Sequence, residues 1–244
     1  MTAASAEEHL THMHVVVPAH DEEQLLPRTL RTLHEAVAEL RRVRPAITTR
    51  VTLVLDACTD GSREIARRHR DVHPVDVTYR CVGAARAHGV VVATAWVPTR
   101  QRGSHWLANT DADCAVPRDW LVRQAILADA GVDLVTGTVE PDSDDLSPAV
   151  VAQWRALHQL GDGHRHVHGA NLGVRLSTYL DSGGFEDAPL HEDVGLVERV
   201  RASGASCVAS SALHLRTSGR LRGRAPGGFA HFLSELDPGA PLAG

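Results

Sequence analysis

Short apolar runs and longer amphipathic segments alternate along the first 140 residues. The runs His14–Ala19 (HVVVPA) and Val51–Leu55 (VTLVL) are continuous and rich in β-branched residues, which is typical of strands buried on both faces of a parallel sheet. Between them, apolar residues recur at helical spacing at Leu25, Leu26, Leu30, Leu33, Val37 and Leu40. Pro45 interrupts this spacing. The pattern predicts a strand–helix–strand unit.

The same alternation continues as far as residue 140. Further strands are predicted over Val75–Cys81, Trp106–Thr110 and Val132–Val139. Further helices are predicted over Ser62–Arg70, Gly83–Ala95 and Pro117–Ala130. Strands that alternate with helices in this way form a parallel sheet covered on both faces. We therefore expect an α/β fold with a mostly parallel sheet flanked by helices.

The second part of the chain is less regular. Helices are predicted over Pro148–Leu160 and Glu192–Ala202, and a strand over Ser206–Leu215. The segment Thr217–Gly228 is rich in glycine and arginine and lacks apolar periodicity, so we expect a mobile loop there. Neither an internal repeat nor an interdomain linker is visible. We expect a single domain over residues 1–244.

Length and composition agree with one globular domain. The chain has 244 residues, of which 43% are hydrophobic and 23% charged, as in an ordinary soluble protein. Its formal charge of −5 argues against a nucleic-acid-binding protein, which usually carries a basic surface. All 25 basic residues are arginine. The absence of lysine excludes any mechanism that needs a catalytic lysine.

The spacing of the cysteines and the composition of the N-terminal residues indicate in which cellular compartment the protein is expected. The four cysteines are dispersed and form no C-x-x-C pair, which disfavours a zinc knuckle or a disulfide framework and favours a reducing cytosol. The first fourteen residues lack the basic and then apolar run of a signal peptide. The longest apolar stretch, Val90–Val97, is too short for a membrane span. We expect a cytoplasmic protein without a membrane span.

The stretch Trp106–Cys114 (WLANTDADC) carries the first chemical signal. An apolar strand ends there on Asp111 and Asp113, which places two carboxylates at the carboxyl edge of the predicted sheet. Ligands bind at that edge in open α/β sheets. Paired carboxylates suit Mg²⁺ or Mn²⁺ together with a substrate phosphate. The alternative is an ordinary acidic turn, since aspartate is common in turns.

Three further motifs follow the predicted strands in order. Residues 18–22 read PAHDE, residues 56–62 read DACTDGS, and residues 83–89 read GAARAHG. Together with Asp111 and Asp113, these motifs resemble the nucleotide-sugar half of a family 2 glycosyltransferase. In that family they correspond to motifs of the P-A-Y-N-E, D-G-S-T-D-G-S, G-x-x-x-A-R-N and D-x-D type. The resemblance implies a GT-A-type, Rossmann-like fold.

The resemblance continues into the second half and covers roughly residues 13–215. Residues 168–175 (HGANLGVR) are similar to the family's G-x-N-x-x-x-R stretch, residues 183–185 to its G-G-F turn, and residues 191–193 (HED) to its E-D motif. The chain departs from the family at His20, Asp21 and residues 57–58. The Q-x-x-R-W signature of processive synthases is absent. A single sugar addition is therefore favoured over polymerisation.

Several expectations follow from this resemblance. Residues 13–140 are expected to bind the nucleotide-sugar donor, and residues 141–244 to bind the acceptor and supply the catalytic base. The acceptor hydroxyl would belong to a small molecule, a glycan or a lipid-linked compound, and transfer would invert the anomeric centre. A sugar-nucleotidyltransferase remains the enzymatic alternative, and a protein that binds nucleotide sugars without catalysis is the other alternative.

The resemblance also implies a metal site and a base. Asp113 would ligate Mn²⁺ or Mg²⁺, while Asp111 would assist it or contact the ribose. His214 is a candidate third ligand, because some enzymes of this fold recruit a C-terminal histidine. Asp193 is the candidate general base and Glu192 the alternative. Helix N-capping is the structural explanation that competes for this acidic pair.

The remaining site residues concern the donor. Pro18, His20 and Glu22 would line the nucleoside, Asp56 would accept hydrogen bonds from the base, and Arg86 would face the base or the diphosphate. A capping role for Asp56 and a surface salt bridge for Arg86 are the alternatives.

In the loop Thr217–Gly228, Arg220, Arg222 and Arg224 would contact donor phosphates when the loop closes. A basic surface loop is the alternative. His164, His166 and His168 are interpreted as exposed histidines of a polar loop, with a metal site as the alternative.

Overall fold

A single seven-stranded sheet organises the computed structural model, which describes residues 9–158, 160–223 and 228–236. The strands are β1 (His12–Ala19), β2 (Thr48–Asp56), β3 (Val72–Val77), β4 (His105–Asn109), β5 (Leu134–Pro141), β6 (Leu172–Arg175) and β7 (Cys207–Thr217). The helices are α1 (Leu26–Val43), α2 (Ser62–Arg67), α3 (Val82–Thr94), α4 (Trp120–Asp129), α5 (Pro148–Leu157), α6 (Leu176–Asp181), α7 (Glu192–Ala202) and α8 (Phe229–Glu235). Short 3₁₀ turns cover Thr99–Ser104, Ser143–Asp145 and Gly169–Asn171.

The strand order is β3-β2-β1-β4-β6-β5-β7, and one direction dominates. The pairs β1–β2, β2–β3, β1–β4 and β5–β7 are parallel, whereas β6 runs antiparallel to both of its neighbours. The mostly parallel α/β sheet that the sequence pattern predicts is therefore confirmed. Because β1, β2, β4, β5 and β7 share a direction, their carboxyl ends lie along one edge of the sheet.

Successive side chains of β1 supply both faces of the core. Val15 and Val17 pack in the cluster that contains Leu30 of α1, whereas Val16 packs with Val90 of α3 on the other face. All three valines are fully buried, as expected for a central strand with helices on both sides. Gly89 lets α3 approach closely, because a Cβ there would lie 2.6 Å from Val16 and 2.8 Å from Val54.

Several element boundaries differ from the sequence-based expectation. β3 covers Val72–Val77 instead of Val75–Cys81, because it is an edge strand that accommodates Pro74 and then leaves the sheet. Arg80 adopts a left-handed conformation in the segment that follows. α5 ends at Leu157, three residues early, and β7 extends to Thr217. The extension of β7 moves the start of the expected loop into the sheet.

Two further expectations concern cysteines and membranes. All four cysteines are free thiols. In the part of the chain that the structure describes, no helix combines the length and the apolar character needed to cross a bilayer.

Candidate active site

Two adjoining cavities open at the carboxyl edge of the sheet. The first, here called the β2 cavity, has a volume of about 590 Å³ and is lined among others by Pro18, His20, Asp56 and Cys81. The second, here called the α7 cavity, has a volume of about 390 Å³ and is lined among others by His168, Glu192, Asp193, Phe229 and Phe232. The two cavities share several lining residues, including Asp111, Asp113 and Arg220. The acidic pair therefore lies where the two cavities meet.

Asp56 closes β2 and is only 4% exposed. Its carboxylate accepts hydrogen bonds from the backbone amides of Arg80 (2.8 Å) and Cys81 (3.0 Å). The His20 ring bonds to the Asp56 carbonyl oxygen through Nδ1 at 2.6 Å. The structure thus places Asp56, His20 and Pro18 together in one cavity, and it adds a role for Asp56 in fixing the segment before α3.

Asp21 joins the loops that follow β1 and β2. Its Oδ1 atom accepts hydrogen bonds from the amides of Thr59 (2.6 Å) and Asp60 (3.2 Å), and these bonds lower the pKa of the carboxyl. Asp21 itself has a φ of 53°, in the left-handed region that aspartate tolerates better than most residues. Asp21 differs from the residue of the family motif at this position, but an aspartate is compatible with the local backbone.

Asp111 and Asp113 follow β4 as the sequence predicts. A side-chain oxygen of each lies within 4.8 Å of the other and of the Cys114 thiol. Asp113 Oδ1 accepts a hydrogen bond from Thr217 Oγ1 at 3.2 Å. Burial, followed by repulsion from Asp111, raises the pKa of Asp113 to about 6. Two crowded carboxylates of this kind stabilise a cation, so the donor set fits a hard divalent metal.

Arg220 supplies a positive charge to this cluster. Its guanidinium forms two hydrogen bonds with the Glu22 carboxylate, at 2.9 and 2.8 Å, and lies 3.1 Å from Asp113 Oδ2. Arg220 therefore faces acids in this structure, where the sequence predicts contact with donor phosphates. Glu22, which is expected to line the nucleoside, is the acid that binds the Arg220 guanidinium. Arg224 lies outside the described residues.

Arg86 is a buried connector and not a surface residue. The side chain is 2% exposed, and its guanidinium contacts Asp111 Oδ1 at 2.5 Å and Glu192 Oε1 at 3.0 Å. Burial opposes the Arg86 charge, but the two acids together raise the pKa of the guanidinium. Arg86 lines the α7 cavity and is absent from the lining of the β2 cavity that contains Asp56. The structure thus disfavours both a contact with the base and an exposed salt bridge.

Glu192 and Asp193 occupy the first turn of α7. Glu192 is 5% exposed, and burial raises its pKa, although the Arg86 charge opposes this effect. Asp193 accepts hydrogen bonds from the amides of Gly169 (2.5 Å) and Val194 (2.8 Å). These two backbone amides hold the Asp193 side chain in place at the start of α7. Of the two acids, only Glu192 forms a direct ion pair with Arg86 in the described structure, although Asp193 also helps to raise the pKa of that guanidinium.

His214 is not brought to the acidic pair. Its Nδ1 atom lies 2.9 Å from Thr138 Oγ1 and its Nε2 atom 3.1 Å from Glu140 Oε2, so both ring nitrogens have partners along β5. The described acidic cluster around Asp113 does not include it. The expectation of a third metal ligand at this position therefore lacks support, because the ring faces the neighbouring strand.

The histidines of residues 164–168 are not simply exposed. His164 is 8% exposed, and neighbouring rings of His164, His166 and His168 lie with centroids 5.7 and 6.0 Å apart. Among the residues described, these three rings form no metal-binding group. The expectation of a polar exposed loop is therefore wrong for His164, whose ring is packed.

Sequence reasoning missed several residues of the site. Phe229 and Phe232 line the α7 cavity from α8, and Thr217 contacts Asp113 from the end of β7. The apolar pair in residues 229–233 was a usable signal, since it follows a glycine-rich segment and has helical spacing. The contact of Thr217 depends on the length of β7, which the sequence pattern does not fix.

Known structures show the same architecture. Residues 1–349 of S. aureus TarS, solved in complex with UDP-GlcNAc, are 13% identical to this chain and cover 95% of it, with a TM-score of 0.65. The mannosyltransferase PcManGT from Pyrobaculum calidifontis, solved with GDP-Man and Mn²⁺, is 22% identical over 91% of the chain, with a TM-score of 0.62. GalNAc-T7, solved with UDP, GalNAc and Mn²⁺, is 13% identical over 86% of the chain, with a TM-score of 0.60.

These similarities concern the fold. The chain spans 68% of the TarS fragment, 61% of PcManGT and 44% of GalNAc-T7. In sequence, no curated protein matches the chain. The family profile described as glycosyl transferase family 2, however, matches residues 14–175, which is most of the sheet and the acidic pair. The chain belongs to glycosyl transferase family 2 and is a glycosyltransferase.

Proposed function

We propose that the protein transfers one sugar from a nucleotide-sugar donor to an acceptor hydroxyl, with inversion and with the help of a divalent cation. The observation that carries this proposal is the meeting of two cavities at Asp111 and Asp113. One cavity contains Asp56 and the other contains Asp193. A donor that extends from the first cavity into the second would present its sugar to the candidate base.

The β2 cavity suits the nucleoside. Pro18 and His20 offer flat surfaces, and Asp56 offers a buried carboxylate at the cavity wall. Carboxylate oxygens accept hydrogen bonds from the N–H groups of a base. The similar structures TarS and PcManGT were solved with UDP-GlcNAc and GDP-Man respectively, which supports a nucleotide-sugar donor without selecting the base.

Asp113, with Asp111 beside it, would hold Mn²⁺ or Mg²⁺. When bound, such an ion neutralises the charge that grows on the departing diphosphate. Arg220 is positioned to share in this neutralisation, because its guanidinium already lies at Asp113. Arginine forms paired hydrogen bonds with phosphate oxygens as readily as with a carboxylate.

Asp193 would act as the general base. The acceptor oxygen attacks the anomeric carbon, the bond from that carbon to the diphosphate breaks, and the electron pair leaves with the diphosphate. The proton of the acceptor hydroxyl passes to Asp193 during this single displacement, which inverts the anomeric centre. Glu192 is less suited to this step, because Arg86 already occupies its carboxylate.

Donor assays test the proposal directly. UDP-, GDP- and dTDP-sugars would be compared for thermal stabilisation in the presence of Mn²⁺ and for slow release of the nucleoside diphosphate. We expect at least one donor to stabilise the protein and to be hydrolysed in a Mn²⁺-dependent way. Stabilisation without any release would indicate a binding protein, and no response to any donor would contradict the proposal. A nucleotidyltransferase would instead release pyrophosphate from a nucleoside triphosphate and a sugar phosphate.

A further inference from the structure

Part of the α7 cavity has no role in donor activation. Besides the acids, the cavity is lined by Val167, His168, Phe229 and Phe232. These side chains form an apolar and aromatic wall, here called the ring wall. The cavity volume of about 390 Å³ lies within the range of roughly 300–1,000 Å³ found for small-molecule sites.

Stacked rings connect the ring wall to the protein core. The buried Trp154 side chain stacks on His158 with centroids 4.4 Å apart and planes within 10°. His158 stacks in turn on His166 at 5.0 Å and meets Phe232 edge to face at 5.5 Å. His166 then stacks on His168 at 6.0 Å. Because each ring rests on another, the wall is preformed and loses little conformational entropy when a ligand binds.

The ring wall is uncharged at His168. This ring meets Phe229 edge to face at 6.3 Å. Burial, together with the neighbouring imidazoles of His158, His164 and His166, lowers the pKa of His168 to about 4. The imidazole is therefore neutral near pH 7 and gives an anionic ligand no ion pair.

The acidic part of the cavity also disfavours anions. Four carboxylates line it, at Asp111, Asp113, Glu192 and Asp193, and two arginines, at Arg86 and Arg220. Each arginine is already paired with two acids. A divalent cation at Asp113 would offset part of this charge, but the diphosphate of the bound donor would restore the excess. A carboxylate or phosphate on the acceptor would therefore meet net negative charge beside Asp193.

We propose that the acceptor is an uncharged glycoside whose pyranose ring packs its C–H face on Phe229, Phe232 and His168 while a hydroxyl reaches Asp193. This inference rests on the proposed function, because it takes Asp193 as the base. A pyranose fits both parts of the cavity, since one face is apolar and its rim carries several hydroxyl donors for the carboxylates. A purely aromatic ligand would leave those carboxylates without hydrogen-bond donors.

Binding measured by saturation-transfer NMR tests this inference. The probes are methyl pyranosides and the matching uronates, offered to the full chain with a nucleoside diphosphate and the diamagnetic ion Mg²⁺. We expect the neutral pyranosides to bind through their ring C–H protons, and the uronates to bind at least about tenfold more weakly. Replacing Phe232 by alanine should weaken pyranoside binding by about tenfold, the effect of one lost ring contact.

Two control variants separate stacking from folding. Phe232→Leu keeps apolar volume without a ring and should lie between the wild type and Phe232→Ala. Leu157→Ala alters a residue of α5 that is 60% exposed and outside the cavity lining, so it should not change pyranoside binding. Thermal unfolding and stabilisation by the nucleoside diphosphate would show that each variant is folded and still binds the donor portion.

The outcomes distinguish this inference from the proposed function. Uronates that bind as well as pyranosides would overturn it, and so would pyranoside binding that is insensitive to Phe232→Ala. Failure of every pyranoside to bind, with nucleotide stabilisation intact, would also overturn it and leave the donor assignment standing. Pyranoside binding without any nucleotide response would support the ring wall as a sugar site and contradict the proposed transfer.

Discussion

The Nε atom of Arg86 donates a hydrogen bond to Glu192 Oε1 at 3.0 Å, deep inside the protein. The same guanidinium contacts Asp111, so one buried cation joins the end of β4 to the start of α7. These two elements carry the candidate metal ligands and the candidate base. This side chain therefore helps to fix their relative position, together with the apolar cluster that contains Leu107 of β4 and Leu196 of α7.

Replacing Arg86 by methionine should strongly destabilise the protein. The change leaves two acids without their cation, and breaking a buried ion pair by removing one partner costs about 3–5 kcal/mol. Urea unfolding at pH 7 measures the loss. The matched control is Arg118→Met, which removes an exposed ion pair with Glu39 and should change the free energy of unfolding by about 1 kcal/mol or less. Equal effects of the two changes would contradict the connecting role of Arg86.

Asp193→Asn should lower the transfer rate while donor binding remains. The amide cannot accept the acceptor proton, and the loss of a general base slows a reaction by about 10²–10⁴-fold. The asparagine side-chain oxygen can still accept the Gly169 amide, so the fold should persist. Initial rates and thermal stabilisation by the donor measure the two properties separately. Near-normal turnover of this variant, with loss in Glu192→Gln, would transfer the role of base to Glu192.

Metal affinity should depend on Asp113 and not on His214. Asp113→Asn removes a charged oxygen ligand and should weaken Mn²⁺ binding by at least about tenfold. His214→Ala should leave the affinity unchanged, because the ring is bonded to Thr138 and Glu140. Titration followed by the electron paramagnetic resonance of free Mn²⁺ measures both. A weakened site in His214→Ala would show that β7 rearranges when metal binds.

The free energy of unfolding should fall below about pH 6.5. Burial lowers the pKa of His14 to about 3 and that of His105 to about 4, and the two rings bond to each other at 2.9 Å. Because the folded pKa values lie below the ordinary value of 6.5, the unfolded chain binds more protons between about pH 6.5 and pH 4. The contribution of these two histidines to stability is therefore complete above pH 6.5 and decreases on acidification, by up to about 1.4 kcal/mol per pH unit for each histidine.

Urea unfolding at a series of pH values measures this dependence. His105→Phe removes one of the titrating rings and should flatten the decrease. His73→Ala alters an exposed residue of β3 and should leave the slope as it is. A slope that His105→Phe does not change would exclude this buried pair as the origin.

Gly169→Ala should damage the site through a steric contact. A Cβ at Gly169 would lie 2.8 Å from Arg86 Nη2, and the Gly169 amide is also the donor to Asp193. Overpacking of this kind costs about 1–3 kcal/mol and should also reduce the transfer rate. Gly161→Ala is the matched control, because nothing lies within 4 Å of a Cβ there. Melting temperature and initial rate are the measurements.

The sequence predicts the sheet and the acidic edge well, because both depend on local patterns. Short β-branched runs such as Val51–Leu55 favour buried strands, and residues that directly follow parallel strands lie at one edge of the sheet. The contacts of Arg86 and His214 could not be predicted from local patterns, because both involve residues far along the chain. Arg86 reaches Glu192 across 106 residues, and His214 faces Thr138 through the register of β5 and β7. Neither contact can be predicted from the spacing of residues within one helix or strand.

The ring wall also could not be predicted from local sequence patterns. His164, His166 and His168 alternate in the sequence and suggest a polar loop. In the structure, however, His166 stacks on His158 at the end of α5, and His168 meets Phe229 of α8. The alternation of the three histidines predicts that their side chains lie on one side of the segment. It does not predict which other residues pack against that side.

The ion pair between Glu22 and Arg220 joins residues 198 positions apart. It connects the exit of the first strand to the segment that follows the last strand. The candidate site is therefore complete only when nearly the whole described chain has folded. A chain still being synthesised, or one cut before Arg220, would have the strands of the sheet without the arginine that pairs with Glu22 and Asp113. Under the proposed function, we expect donor turnover to begin only after the segment that follows β7 has joined the site.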